Sequence, residues 1–110
     1  GISDLWRLYN EEPEALKDAC IADKVIGKGA AALMALGGVK KVWTNVISRP
    51  ALELLTDAGI ETGYRTLTDN IINRAGTGIC PVETLCTPYA TPEECLAPIA
   101  SFIENLSKKQ

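Results

Sequence analysis

Short apolar runs alternate with helix-like stretches along this chain of 110 residues. Apolar residues three and four apart, with Ser3 as the N-cap, predict a first helix that ends before Pro13. A compact apolar run predicts a buried strand at 19–22, ended by Asp23. The other predicted elements are a helix over 24–36 closed by Gly37 and Gly38, a strand over 41–47, a helix capped by Ser48 and stopped by Gly59, a strand over 62–67, a short helix opened by Cys80 and Pro81, and a last helix from Thr91.

Alternating strands and helices predict one α/β domain over residues 1–110, built on a parallel sheet. Such sheets bind ligands at the carboxyl ends of their strands, so the sequence points to 23–29, 47–50 and 73–83. Pro98 conflicts with the last predicted helix, because a proline inside a helix costs about 3 kcal/mol. We therefore expect either a kink at Pro98 or a late start of that helix.

Composition and charge narrow the class of protein. The chain is 46% hydrophobic and 23% charged, which is typical of a globular protein. Its formal net charge of −3 argues against non-specific binding of nucleic acid, which needs a basic surface. No run approaches the roughly 18 apolar residues of a membrane-spanning helix and no signal peptide is visible, so we expect no membrane contact and a cytoplasmic protein. Because the chain opens with Gly1 rather than Met, a trimmed start and a missing leader stay open.

Four cysteines and no histidine limit the metal chemistry of the chain. Zinc sites combine His and Cys at short spacings, and the spacing of Cys80, Cys86 and Cys95 matches none of these. The acidic pairs at 11–12 and 93–94 are typical of helix ends rather than of hard-cation sites. We expect no metal and no cofactor, and we expect Cys20 to pack as a small hydrophobic residue.

The stretch 73–83 carries the strongest candidate chemistry. Its two glycines let the backbone approach a ligand, its arginine offers a forked donor, and the helix N-terminus that follows favours anions. The predicted ligand-binding residues in this stretch are Asn73, Arg74, Gly76, Thr77 and Gly78. A structural alternative stays open, in which a glycine turn feeds a capped helix and Arg74 forms an ion pair.

Cys80 is the candidate nucleophile, because a position near a helix N-terminus makes a thiol more reactive. With no histidine in the chain, its acid-base partner would be Asp23, Lys24 or Glu83. Lys24 and Lys28 are also candidate ligands of a phosphate near the start of the predicted helix at 24–36, although the full phosphate-loop pattern is absent. The alternatives are a small capping residue at Cys80, helix capping by Asp23, and two surface lysines.

Three stretches, 22–28, 46–53 and 72–83, together resemble the prokaryotic domain of unknown function 1893. The resemblance runs from about Asp4 to Lys108 and implies a cytidine-deaminase-like fold, a three-layer α/β/α sandwich around a mixed sheet. It does not imply deamination, because the positions of the deaminase ligands fall at 23–25 and 50–53, where this chain has neither His nor Cys. The resemblance also implies an N-terminal β-hairpin before the first helix, and the given sequence begins after it. Either the chain was shortened or this member lost the hairpin; we expect its loss to expose a sheet edge that favours pairing between chains.

Three hypotheses of function stay open. In the first, the protein binds a small anion or a nucleotide through 73–78 and Lys28, without zinc. In the second, it is a metal-free enzyme that uses Cys80. In the third, it is a structural or partner-binding module with no ligand, and a homo-oligomer is one form of it.

Overall fold

Three parallel strands form the centre of the fold. The computed structural model describes residues 2–69, 85–86 and 88–108. Its strands are β1 (Cys20–Ile26), β2 (Lys41–Ser48) and β3 (Glu61–Thr68), and β2 lies between the other two. The parallel register places Ala22, Trp43 and Gly63 at one level of the sheet. The parallel sheet that the alternating pattern predicts is confirmed.

The part of the chain that the structure describes also contains four helices. They are α1 (Ile2–Glu11), α2 (Lys28–Gly37), α3 (Arg49–Asp57) and α4 (Leu96–Lys108). Single 3-10 turns lie at Pro13–Ala15 and Glu93–Cys95. Helix α2 connects β1 to β2, α3 connects β2 to β3, and the two helices pack against each other. None of the described helices is long and apolar enough to cross a membrane.

Small side chains let α2 pack closely in the core. Ala31 and Ala32 are fully buried on this helix, next to the equally buried Leu33 and Met34. The largest fully buried apolar side chains come from the segment before β1, from the strands and from three of the helices: Leu16, Ile26, Leu33, Met34, Ile47, Leu55 and Ile99. The large fully buried side chains are therefore aliphatic, in keeping with an aromatic content of only 5%.

The ends of α2 and α3 form as their local sequence predicts. Gly38 adopts the left-handed conformation (φ 78°) at the C-terminus of α2, and its N–H is donated to the carbonyls of the last turn. Ser48 caps α3, since its side-chain oxygen accepts a hydrogen bond of 3.3 Å from the N–H of Ala51. Gly59 follows α3 with a φ of 76°. These are the residues that the sequence assigns to the helix ends.

The predicted boundary between β1 and α2 is wrong. Asp23 does not end the strand, which continues to Ile26, and the helix begins at Lys28 rather than at 24. The reason is pairing: Val25 and Ile26 are β-branched and extend the ladder opposite β2, so they belong to the strand although Lys24 interrupts the apolar run. Gly27 then makes the turn into the helix.

Two smaller predictions near the amino terminus are also wrong. Ser3 lies inside α1, which begins at Ile2, so it is not the N-cap. Cys20 is exposed rather than packed as a core residue. It lies level with Lys41 on β2, and both residues are exposed.

The last helix resolves the conflict at Pro98 through a late start. Thr91 accepts a 3.4 Å hydrogen bond from the N–H of Glu94, as the predicted N-cap should, and its hydroxyl also donates to the Glu94 carboxylate at 2.8 Å. A 3-10 turn follows, and α4 begins only at Leu96. Pro98 therefore lies in the first turn of the α-helix, where an N–H has no helical acceptor to lose.

Replacing Ser48 by Ala should destabilise the protein by about 1 kcal/mol, because the first turn of α3 loses its side-chain acceptor at a fully buried position. Urea unfolding followed by circular dichroism measures the loss. The matched control is Ser3→Ala, an exposed serine inside α1, which should leave the midpoint within error. Equal effects of the two substitutions would contradict the capping role of Ser48.

Candidate functional site

The carboxyl ends of the three strands lie along one edge of the sheet, which we call the carboxyl edge. It carries Gly27 after β1, Ser48 at the end of β2, and Thr68 at the end of β3. An exposed ion pair joins two of these strand ends, with Arg49 Nε 3.3 Å from Asp69 Oδ1. In parallel sheets this edge is where ligands bind, because loops and helix N-termini converge there.

Two helices begin at this edge, and they differ in how their first N–H groups are satisfied. In α3 the Ser48 side chain accepts one of them. In α2 the N-cap residue is Gly27, which has no side chain to act as an acceptor. The first turn of α2 also contains no acidic residue. The N-terminus of α2 therefore keeps its partial positive charge without a side-chain acceptor at the cap, an arrangement that favours an anion.

Lys28 adds a full positive charge at the start of α2. Its ammonium donates a hydrogen bond to the backbone carbonyl of Tyr89, 61 positions further along the chain. The N–H of Tyr89 is in turn donated to the carbonyl of Cys86 at 3.1 Å. Lys28 thus fixes the segment around Tyr89 to the beginning of α2, and its charge stays at the carboxyl edge.

Two buried thiols lie beside this contact. Cys86 and Cys95 are both fully buried, and their side chains are hydrogen-bonded to each other. Burial raises the pKa of the Cys95 thiol, while the hydrogen bond from Cys86 and the charge of Lys28 act in the opposite direction. A raised pKa and complete burial make Cys95 a poor nucleophile at neutral pH.

The observed start of α2 separates the candidate residues near β1, because two of them belong to the strand and one to the helix. Lys28 begins α2 and lies at the carboxyl edge, as a phosphate ligand would require. Asp23 and Lys24 are strand residues, so Asp23 is not a helix cap. The carboxylate of Asp23 accepts a 2.7 Å hydrogen bond from the N–H of Lys24, and the side chain of Lys24 is exposed.

The other predicted site residues lie outside the described part of the chain. They are Asn73, Arg74, Gly76, Thr77, Gly78, Cys80 and Glu83. Their roles in binding or catalysis stay predictions. The structure does show where the stretch that contains them begins, because β3 ends at Thr68 on the carboxyl edge.

The resemblance places the deaminase ligands at two helix starts, and only one of these two positions lies at the start of a helix. Because α2 begins at Lys28, the expected position at 23–25 is wrong, and the helix start is occupied by Lys28, Gly29 and Ala30. Pro50 lies in the first turn of α3, as expected. Within residues 2–69, 85–86 and 88–108, no three His, Cys, Asp or Glu side chains come close enough to hold a metal ion.

Sequence reasoning missed the contacts of this region that are long-range. The hydrogen bond from Lys28 to Tyr89 and the pair of Arg49 with Asp69 join segments that are distant along the chain. The only signal in the sequence was the position of Arg49 directly after the Ser48 cap. A local pattern contains no information about which distant carbonyl a lysine will reach.

A concave region lies at the opposite, amino-terminal ends of the strands. It has a volume of about 460 Å³ and is lined by Cys20, Lys40, Lys41, Gly59 and Glu61. Lys41 Nζ lies 3.1 Å from Glu61 Oε2, and this carboxylate raises the pKa of Lys41. The ion pair is exposed to solvent, so its contribution to stability is small.

Comparison with known proteins identifies the family. The family model described as domain of unknown function DUF1893 (TM1506) matches residues 1–103. The chain belongs to the DUF1893 family. It is similar to the crystal structure of a DUF1893 family protein, TM1506 from Thermotoga maritima, with a TM-score of 0.79 and 26% identity over 92% of this chain and 68% of that chain. No curated protein matches this DUF1893 sequence.

Replacing Lys28 by Met should lower the free energy of unfolding of this DUF1893 protein by about 1–2 kcal/mol. The reason is that the carbonyl of Tyr89 loses a charge-assisted hydrogen bond at a half-buried position. The matched control is Lys24→Met, which removes the same charge from an exposed strand residue and should have little effect. If urea unfolding shows the same midpoint for both variants, Lys28 does not have this anchoring role.

Proposed function

We propose that this protein binds a small anion or a nucleotide at the carboxyl edge of its sheet, on a deaminase-like α/β fold that does not use zinc. The observation that carries this proposal is the start of α2, where Gly27 supplies no side-chain acceptor for the first N–H groups. The neighbouring α3 serves as an internal comparison, because the Ser48 side chain accepts a hydrogen bond from one N–H of its first turn. A phosphate oxygen would take at α2 the place that the serine oxygen takes at α3.

Positive charge around this position supports the same proposal. Lys28 is the first residue of α2, and Arg49 begins α3 at the same edge. An arginine in an exposed ion pair can exchange its carboxylate partner for another oxyanion at little cost, because such pairs contribute little. The chain as a whole has a net charge of −3, so a bound anion depends on these local positive groups.

The predicted loop at 73–78 would complete the site. It follows β3 along the chain, and the last residue of β3, Thr68, lies on the carboxyl edge. We propose that Asn73, Arg74, Thr77 and the backbone of Gly76 and Gly78 contact the ligand from this side. Forked donors and exposed backbone N–H groups are well suited to phosphate.

Zinc-dependent deamination does not fit the residues present. That reaction needs a metal-bound water and a glutamate as general acid and base near the start of the corresponding helix. The start of α2 reads Lys28, Gly29, Ala30, and the chain contains no histidine. We therefore propose ligand binding on a deaminase-like α/β fold in place of that chemistry.

The metal-free enzyme remains a weaker candidate. It requires a nucleophilic Cys80 with Asp23, Lys24 or Glu83 as its partner. Asp23 already accepts a hydrogen bond from the next residue in its strand, and Lys24 is an exposed strand residue. No contact among the described residues favours this candidate over ligand binding.

The test is a panel of inorganic phosphate, sugar phosphates and nucleoside mono-, di- and triphosphates, read as the shift in melting temperature. A ligand of the native state at 100 times its Kd stabilises by about 2.7 kcal/mol, which gives a clear shift. We expect a phosphate-bearing compound to produce it. Gly27→Asp should abolish the shift, because the new carboxylate both caps α2 and repels an anion.

Two charge-reversing variants complete this experiment. Arg74→Glu should also abolish the shift, whereas Arg7→Glu, the same change on the exposed face of α1, should preserve it. A shift that survives Gly27→Asp would contradict a site at the start of α2. A flat response of the native protein to the whole panel would contradict the proposed function.

A further inference from the structure

On one face of the sheet, the residues along the first five positions of each strand are exposed, except for Gly63, which is half-buried. Along β2 the exposure alternates, with Val42 and Thr44 buried and Lys41, Trp43 and Asn45 exposed. The register places the neighbours of these exposed residues on the same side of β1 and β3. The resulting surface, which we call the open face, has three rows: Cys20, Lys41 and Glu61; Ala22, Trp43 and Gly63; Lys24, Asn45 and Arg65.

Contacts within the rows confirm that these side chains share one face. Lys41 and Glu61 form their ion pair across the first row. In the middle row, a Cβ built on Gly63 would lie 2.8 Å from Cε3 of Trp43, so the indole ring covers this glycine. Trp43 is nevertheless 49% exposed. One face of the ring therefore packs on the sheet, and the other is open to solvent.

We propose that the open face binds the open face of a second copy of this chain. The two copies are related by a two-fold axis that lies parallel to the sheets, perpendicular to the strands, and passes over the middle row. Each strand then faces the same strand of the second copy in the antiparallel direction. Such an interface is isologous, since the same patch serves both subunits.

The charges of the open face select this axis. With the axis perpendicular to the strands, Glu61 faces Arg65 of the partner subunit, and the pair occurs twice. An axis parallel to the strands would place Lys24 opposite Arg65 of the partner subunit, and like charges would meet in the third row. Within the described part of the chain Arg65 forms no ion pair, so a carboxylate from a second copy would give it a partner.

The position of the tryptophan fits the same arrangement. Trp43 leans from β2 over Gly63 on β3, and in this dimer β3 faces β3. The two indole rings therefore stack on each other above the two glycines. Packed sheets lie about 10 Å apart, which is close to the thickness of two stacked rings between two backbones. Tryptophan at the centre of a charged and polar rim is also typical of interface hot spots.

The size of the patch determines the strength of the association. The open face comprises three residues on each of three strands, fewer than the 20–30 or so residues that a standard interface contributes from each side. The dimer should therefore be weak and should depend on concentration. Its formation is independent of any ligand at the carboxyl edge.

Sedimentation velocity of the whole chain over a wide range of concentration tests the proposal. We expect a reversible monomer–dimer equilibrium that Trp43→Ala weakens by at least about tenfold. The matched control is Tyr64→Ala, which removes an aromatic side chain that is 39% exposed at the neighbouring position of β3, outside the open face. It should leave the equilibrium unchanged.

Charge variants test the axis separately from the tryptophan. Arg65→Glu should weaken the dimer, because it places a carboxylate opposite Glu61 of the partner subunit, and combining it with Glu61→Arg should restore association. Circular dichroism establishes that each variant is folded. A native protein that stays monomeric at every concentration would overturn the proposal. So would a dimer that tolerates Trp43→Ala, or a double variant no stronger than Arg65→Glu alone.

Discussion

Parallel pairing of the three strands is the constraint on which the rest of this structure depends. Two parallel neighbours cannot be joined by a tight turn, so each connection must return along the full length of the sheet, and here α2 and α3 provide it. Every strand consequently ends at the same edge, and both connecting helices begin there. The topology of the chain therefore places both helix N-termini at the carboxyl edge. Lys28 and Arg49 lie there because they are the first residues of these helices.

The local sequence predicts the elements best where the backbone and the side chains give the same signal. At β2 and α3, a β-branched run is followed by a serine cap and a proline in the first turn, and strand, cap and helix all form as expected. At β1 the signals conflict, since Asp23 and Lys24 interrupt the apolar run and Gly27 lacks a capping side chain. Pairing with β2 decides the outcome there, and pairing is not visible in one strand alone.

The candidate site was predictable only in part, for a related reason. The general position at the strand ends follows from the fold class, and Lys28 follows from its place at a helix start. The anchor of Lys28 does not, because the carbonyl of Tyr89 is reached only through the tertiary fold. This contact is unfavourable for ligand binding, because an ammonium that is hydrogen-bonded to Tyr89 is less free to contact a ligand. The start of α2 has no capping side chain, and backbone N–H groups at such a helix start are better suited to bind an anion.

The same parallel sheet also explains why the carboxyl edge and the open face are separate surfaces. Helices that return on one side of the sheet bury Val42 and Thr44 and leave Lys41, Trp43 and Asn45 uncovered. Gly63 has no side chain to support a core on that side, and its flat backbone accommodates the indole of Trp43 instead. The open face lies on the first five residues of each strand, whereas the start of α2 lies beyond the carboxyl ends of the strands. Pairing of two copies across the middle rows therefore leaves the helix N-termini accessible, and an anion at the edge adds no charge to the rows that meet.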